Sequence, residues 1–330
     1  MTRSSIIGLS VASLCLPGCT GSQSALDAAG ASALALKQLI ILIVIVCAVV
    51  WLLVMLVLAW SLLRSRDGRG TAGNDRKARK VVAAAVTATV FIIAGLTTAS
   101  FYTTRQIGPS SRPALTVTVR GQQWWWQFVY PASWSEAGFQ TANELHIPVG
   151  KDVTLRLESV DVIHSFWVPS LAGKLDLIPG RTNEVTLHAD RPGVYRGQCA
   201  EYCGLQHSHM ALLVVAEDEE NYQRWLQGEQ RERLPPPDTE IAAGEAVFLS
   251  KPCAACHTVR GTPAAGTTGP DLTHVGSRET IGAGLLPNTR GSLAAWIADP
   301  QTLKPGNNMP VVPLSAKELK QVSAYLESLK

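Results

Sequence analysis

The hydrophobic pattern divides the chain into three regimes. Residues 38 to 63, "QLIILIVIVCAVVWLLVMLVLAWSLL", hold no charged side chain. Such a run crosses the ~30 Å of bilayer hydrocarbon as a helix rising ~1.5 Å per residue. Residues 81 to 102, "VVAAAVTATVFIIAGLTTASFY", are also uncharged but less apolar. Alone they fit a buried core helix; after a strong span and a charged elbow they predict a second crossing. From residue 108 the period drops to two. "LTVTVR" (115–120), "VTLRLE" (153–158), "EVTLH" (184–188) and "ALLVVA" (211–216) read as strands, punctuated by Gly and Pro at 148–150, 179–180 and 192–193. No helical period of useful length intervenes before residue 217, so 108–226 predicts an all-β sandwich or Greek-key barrel. The last regime, 239–330, returns to helical spacing. It closes on "LSAKELKQVSAYLESL", with Ser315 and Glu318 in capping-box relation and Leu319, Val322, Leu326 and Leu329 on one face. Between the last two regimes, "LQGEQRERLPPPDTE" (226–240) is charged and proline-rich, and 227–238 reads as a semi-rigid tether.

Composition sharpens this division. Of 330 residues, 46% are hydrophobic, which is high for a water-soluble chain, and the length allows two or three modest domains. The formal net charge of +3 is too small to argue for nucleic acid. Charge is informative locally. The elbow 64–80 carries Arg64, Arg66, Arg69, Arg76, Lys77, Arg79 and Lys80 against Asp67 and Asp75. Short basic loops stay in the cytoplasm, so the hairpin puts both its ends, and everything after about residue 103, on the outer face. The start, "MTRSSIIGLSVASLCLPGC", has Arg3 as a small basic region and an apolar stretch, Ile6 to Leu16, too short to span a bilayer. That is a secretory signal in form over 1–18. Its end resembles a bacterial lipobox, which implies a lipidated Cys19 and an exported segment at 19–37. The alternative is an uncleaved leader with two incidental cysteines.

The cysteines cluster where chemistry is expected. "CAEYCGLQHSHM" (199–210) packs Cys199, Cys203, His207, His209 and Met210 into one short loop. Thiolate suits copper(I) and zinc, and imidazole suits copper, zinc and iron. A zinc site would use Cys199, Cys203, His207 and His164 and leave Met210 idle. A copper site uses all of them, since two cysteines on one loop can bridge two ions. A Cys199–Cys203 disulfide is the third reading in an oxidising compartment. Downstream, "KPCAACHTV" contains C-x-x-C-H, the attachment signature of c-type haem: Cys253 and Cys256 add to the vinyl groups and His257 ligates the iron. His146 and His209 read as surface or core histidines, and Trp125 and Trp126 as plain core. Glu158 and Asp161 read as a solvated acidic face or as an attractor for a cationic donor.

The cysteine loop resembles the binuclear copper loop of the cytochrome c oxidase subunit II family, C-x-E-x-C-x-x-x-H-x-x-M. "VDVIHSFWVPSLAGKLDLIPGR" (160–181) is similar to that family's upstream histidine segment, and "GQQWWWQFVY" (121–130) to its aromatic stretch. The resemblance runs from about residue 36 to 226, and it implies a two-helix membrane hairpin followed by a cupredoxin-like Greek-key domain. It further implies that Cys199 and Cys203 bridge a copper A pair, that His164 and His207 each end one metal, and that Met210 and the backbone carbonyl of Glu201 are weak axial ligands. The Glu201 side chain would face the partner subunit and help hold magnesium or manganese there, and Trp124 would be where electrons come in. Residues 239–330 look like a small class I cytochrome c, all-α, with Met309 as the implied sixth ligand opposite His257 and Pro270 holding the His257 ring. His274 is the competing sixth ligand.

Together these resemblances imply subunit II of a caa-type haem–copper oxidase. It would sit in a bacterial inner membrane with both domains on the outer face. It would take electrons from a quinol–cytochrome c oxidoreductase or a small cytochrome c, and pass them to a subunit I that reduces oxygen and pumps protons. Two other readings stay open from the residues: the corresponding subunit of a copper A-type nitric oxide reductase, and a free membrane-tethered electron carrier. One departure from the family pattern is that "NDRKARKVVAAAV", where the second span begins, has no glutamate for proton uptake.

Overall fold

The structure, a computed structural model, describes residues 21, 23–64, 75–108, 110–132 and 138–330. The expected signal segment, Cys19 and most of the basic elbow therefore lie outside the described residues. The chain forms two units, 34–108 and the remainder.

In the first unit, helix α1 (Ala31–Leu63) and helix α2 (Asp75–Gln106) are both long and apolar enough to cross a membrane. Each exceeds its uncharged run, because polar residues such as Ser32, Lys37 and Arg79 sustain a helix as well as apolar ones do. The uncharged run marks what tolerates hydrocarbon, and helix ends fall elsewhere.

The second unit contains a β-sandwich. One sheet runs β3 (Phe139–Ala142), β2 (Trp125–Tyr130), β1 (Leu115–Gln122), β5 (Val153–Ser159), β8 (Asn183–Leu187). The other runs β4 (Glu144–Pro148), β10 (Ala211–Glu217), β9 (Gly193–Cys199), β6 (His164–Trp167), β7 (Leu175–Leu177). The pairs β1–β5 and β4–β10 are parallel, while the other ladders are antiparallel, a Greek-key arrangement of cupredoxin type. Alternate residues of β1 turn inward, so Val117 and Val119 meet Leu155, Leu157, Phe128 and Trp126 in a closed core. The segment 23–30 lies on this sandwich: the Ala29 amide donates to Ser170 O and the Asp190 amide to Ala29 O. Helix α3 (Glu219–Gln230), capped by Asp218, follows β10.

A helical domain completes the unit: α4 (Thr239–Ser250), α5 (Cys253–Cys256), the short pair β11 (Thr280–Ile281) and β12 (Leu286–Pro287), α6 (Arg290–Ala298), α7 (Pro300–Leu303) and α8 (Ala316–Ser328). The Ser315–Glu318 capping box opens α8, and Val322, Leu326 and Leu329 on its inner face are buried as the period requires. Helices α4 and α8 cross through Gly244, where an added Cβ would stand 2.2 Å from Gln321 O. Phe248 and Tyr325 fill the crossing with ring centroids 5.8 Å apart. The proline-rich segment is held against this domain: the Arg233 amide donates to Arg260 O at 3.3 Å, Arg233 pairs with Glu245, and His274 Nε2 lies 3.0 Å from Arg231 O. Prolines stiffen a spacer; here the Arg233 side chain and the backbone of Arg231 and Arg233 dock it as well.

Gly244→Val should force α4 off α8 and cost the helical domain about 1–3 kcal/mol or more. Chemical denaturation followed by haem-domain absorbance checks this, with the β-sandwich transition unchanged.

Candidate metal centres

The antiparallel register of β9 and β10 creates the first site. Cys199 ends β9, Met210 precedes β10, and the Cys199 amide donates to Met210 O at 2.9 Å, closing the loop between them. The Ala200 amide bonds Ser165 O at 2.9 Å and Phe166 pairs with Cys199, which brings His164 alongside from β6. Within the loop Gly204 takes φ +114°, in a region closed to side chains, and an added Cβ would strike Gln123 and Trp124 at 3.0 Å. Gly121 on β1 is equally constrained: an added Cβ would lie 2.9 Å from the His164 ring.

The donor atoms converge. Cys199 Sγ is 3.8 Å from Cys203 Sγ, 3.9 Å from His164 Nδ1 and 3.2 Å from Glu201 O. Cys203 Sγ is 3.6 Å from His207 Nδ1 and 3.9 Å from Met210 Sδ. His164, Cys199, Cys203 and Met210 are all buried, and both cysteines are free. His164, Cys199 and Cys203 keep their ligand atoms within 4.8 Å of one another. The second thiol donates to the first and lowers the Cys199 pKa to about 3, while the same contact pushes Cys203 up. Cys199 thus gives up its proton readily, and Cys203 keeps its own until a cation displaces it. A soft thioether aimed into this set suits copper and is of little use to zinc.

Outer contacts orient the ligands. His164 Nε2 lies 2.8 Å from Asp161 Oδ1; the carboxylate only accepts, so Nε2 carries the proton and Nδ1 keeps its lone pair for metal. Burial works to lower the His164 pKa, but the Asp161 hydrogen bond and the Cys199 sulfur outweigh it and raise it. Burial likewise works to raise Asp161, but hydrogen bonds from His164, Gln123 N and Val162 N hold it below the usual range. Asp161 is thus engaged at the site while remaining exposed, so the solvated face expected of it holds but is not its whole role; Glu158 pairs with Arg120 at 3.3 Å, away from the ligands. Trp124 is buried, and its Nε1 donates to Cys203 O at 3.0 Å, alongside Gln123 Nε2 at 2.7 Å. Trp126 is core, edge-on to Phe166 and His164. The Glu201 carboxylate is half-exposed and pairs with Lys174 Nζ at 3.5 Å. His209 Nδ1 pairs with Gln206 at 2.8 Å, and His146 stacks on Trp225 and pairs with Glu217 at 2.9 Å.

The second site sits in the helical domain. Cys253 and Cys256 flank the single turn α5, and His257 follows. His257 Nδ1 is 2.8 Å from Pro270 O; a carbonyl only accepts, so Nε2 is left as the base. Burial lowers the His257 pKa, with the Pro270 contact opposing, and keeps the ring neutral and able to ligate. Gly269 packs under this ring, where a Cβ would approach to 2.6 Å. Met309 Sδ accepts from Trp296 Nε1 at 3.1 Å. Leu272, Leu286, Trp296, Met309, Leu314 and Leu319 are only partly buried around the core, an apolar rim of the kind a macrocycle covers. His274 Nε2 is turned to Arg231 O, on the linker.

Comparison with known proteins agrees with this geometry. The chain is 37% identical over 341 residues to cytochrome c oxidase subunit 2 of Alkalihalophilus pseudofirmus, a match that covers 100% of this chain and 98% of the relative. The chain belongs to the cytochrome c oxidase subunit 2 family. Residues 132–217 match the family "Cytochrome C oxidase subunit II, periplasmic domain", and 241–330 match "Cytochrome c". Subunit 2 of Bacillus sp. (strain PS3) is 35% identical over 228 residues, covering 66% of this chain and 62% of that one. Among solved structures, the periplasmic domain of subunit II of cytochrome oxidase from Bradyrhizobium japonicum aligns with TM-score 0.34 and 29% identity, covering 36% of this chain and 95% of that one. A subunit II with both domains implies a copper A centre and a c-type haem, consistent with a caa-type oxidase.

Asp161→Ala should weaken copper retention by roughly 10–100-fold, the usual cost of losing an outer-shell partner of a ligating histidine. Chelator competition monitored by copper absorbance checks this, and Glu158→Ala, which breaks a surface pair, should leave retention unchanged.

Proposed function

We propose that this subunit takes up single electrons at its haem domain and hands them inward to a haem–copper catalytic subunit, where oxygen is reduced to water and protons are pumped. Electrons from a quinol–cytochrome c oxidoreductase or a small cytochrome c would arrive at the site of Cys253, Cys256, His257 and Met309. They would cross by way of Trp124 to the site of His164, Cys199, Cys203, His207 and Met210. Helices α1 and α2 would anchor the chain in a bacterial inner membrane, with the elbow at 64–80 in the cytoplasm and both domains on the periplasmic face.

The observation that carries this reading is the convergence of two thiols, two imidazoles, a thioether and a carbonyl oxygen beside Trp124, with the thiols, the thioether and His164 buried, on one chain with the His257 and Met309 motifs. Cys199, Cys203, His164, His207 and Met210 would hold copper, and Cys253, Cys256, His257 and Met309 would hold haem, which would supply one-electron chemistry. The residues supply the rest. Asp161 fixes the His164 tautomer, and Pro270 fixes that of His257. The Trp124 indole is bonded directly to the Cys203 backbone, which gives an electron a covalent and hydrogen-bonded path to a ligand. Burial of Cys199, Cys203 and Met210 keeps water from reorganising around a changing charge. With a haem bound, His257 and Met309 would be its ligands, and a His/Met pair would favour reduced iron.

Electron paramagnetic resonance of the detergent-solubilised full chain tests the reading. Protein produced with copper available should show one signal shared by two copper nuclei, beside covalently bound haem. Cys199→Ser should abolish that signal and leave the haem spectrum intact. Stoichiometric haem with zinc or no metal at the cysteine loop would overturn the proposal.

A further inference from the structure

The helical domain is bound to the copper-loop end of the sandwich by two buried charges of opposite sign, one from each side. Lys304, at the end of α7, is 2% exposed. Its Nζ donates to Trp124 O at 2.8 Å, His209 O at 2.7 Å and Gly282 O at 2.9 Å. Three acceptors match the three N–H bonds of an ammonium group. Two belong to the sandwich and flank the candidate copper ligands; the third belongs to the turn between β11 and β12. In return Glu144, which opens β4 and is 4% exposed, accepts at Oε1 from the Glu279 amide at 2.7 Å and the Thr280 amide at 3.2 Å. The turn between these anchors is drawn in further: the Ala211 amide donates to Ala283 O at 3.1 Å, and Ala283 holds φ +64° between Gly282 and Gly284. A non-glycine residue keeps that conformation only when its surroundings hold it.

Between these contacts lies the loop that leads to Met309. Gln206 Nε2 donates to Pro305 O at 2.8 Å. A Cβ at Gly306, which takes φ +82°, would lie 3.4 Å from Leu205 Cδ1 and 3.6 Å from the Trp124 ring. The segment carrying the candidate haem ligand is therefore laid on the indole that is bonded to Cys203. We propose that Lys304 and Glu144 are a reciprocal pair of positioning residues that lock the haem domain onto the copper-loop end of the sandwich, so that Trp124 and the Met309 loop face each other in one fixed geometry.

The physical reason is the cost of undocking. Each charge has been stripped of water, and most of its hydrogen-bond partners lie in the opposing domain, so separation leaves buried polar groups without those partners until water refills the gap. Burial draws the Lys304 pKa down to about 7, with the Cys203 sulfur opposing. Burial raises that of Glu144, against Arg278. Both shifts report the same desolvation. Neither residue belongs to its own domain's apolar core. A domain held in this way transfers an electron across a constant gap, whereas one on a free tether must first diffuse into contact.

The significance for electron transfer rests on the function proposed above; the clasp itself does not, and the experiment separates them. Hydrogen–deuterium exchange on the purified full chain in detergent reads the Glu279 and Thr280 amides directly. Lys304→Met and Glu144→Leu, placed on opposite sides of the interface, should each speed their exchange by roughly tenfold or more, the factor that about 1.4 kcal/mol of local stability gives. Glu144→Gln, which keeps an acceptor oxygen, should retain most of the protection. In protein whose haem and copper spectra are intact, an electron delivered to the haem by a flash-excited ruthenium complex should reach copper more slowly in both disrupting variants. Its rate should also become dependent on solvent viscosity, while the parent rate does not. If either variant fails to fold, the other decides. Parent-like exchange in the folded disrupting variants, or unchanged viscosity-independent transfer, overturns the clasp. Loss of the copper signal in the parent protein would instead overturn the functional reading and leave the exchange result standing.

Discussion

The hydrogen bond from the Cys199 amide to Met210 O carries the rest of the architecture. It closes the loop between β9 and β10, and everything chemical in the β-domain hangs from that closure. Two thiols, an imidazole and a thioether are thereby collected at one end of a sandwich whose interior is already dry. Desolvated thiolates are costly until a cation displaces their protons to solvent and shares their charge. A site of this kind stores the preference for metal in its own fold, and the residues around it — Asp161 behind His164, Gly121 beneath the ring — keep that preference aimed.

The same logic of desolvation operates in the helical domain on a different scale. His257 is neutral because it is buried and because Pro270 O has claimed its other nitrogen. Around it the side chains are apolar yet only partly covered, so the domain's core is incomplete in the direction that the C-x-x-C-H motif faces. The copper-loop site is prepared by closing a polar cluster, and the second by leaving an apolar one open. Both are shaped before any cofactor is considered.

Between them the interface is polar where it is buried. Backbone carbonyls and amides of each domain are satisfied by a single charged side chain of the other, and the loop from Lys304 to Met309 is fixed as a consequence. Short flexible tethers raise local concentration, but they do not choose an orientation. Here the chain between the domains is itself bonded down through Arg233 and Arg260, so orientation is set by contact and the linker follows it.

Much of this was legible in the residues alone. Uncharged runs of sufficient length gave both apolar helices, because nothing but composition decides what hydrocarbon tolerates. Period-two alternation gave β1, β5, β8 and β10, whose side chains divide between core and solvent. The spacing of Cys199, Cys203, His207 and Met210, and of Cys253, Cys256 and His257, announced ligand chemistry, since those atoms must lie within one loop or one turn to act together. Strands such as β4 and β6 were not legible, because burial on both faces erases alternation. Nor were Glu144 and Lys304: an acid or a lysine in a sequence looks solvated until a second segment is seen to cover it. Local spacing is written into the chain. Which charges lose their water, and whose carbonyls replace it, is decided only when distant segments pack, and that packing sets the seat of the haem domain.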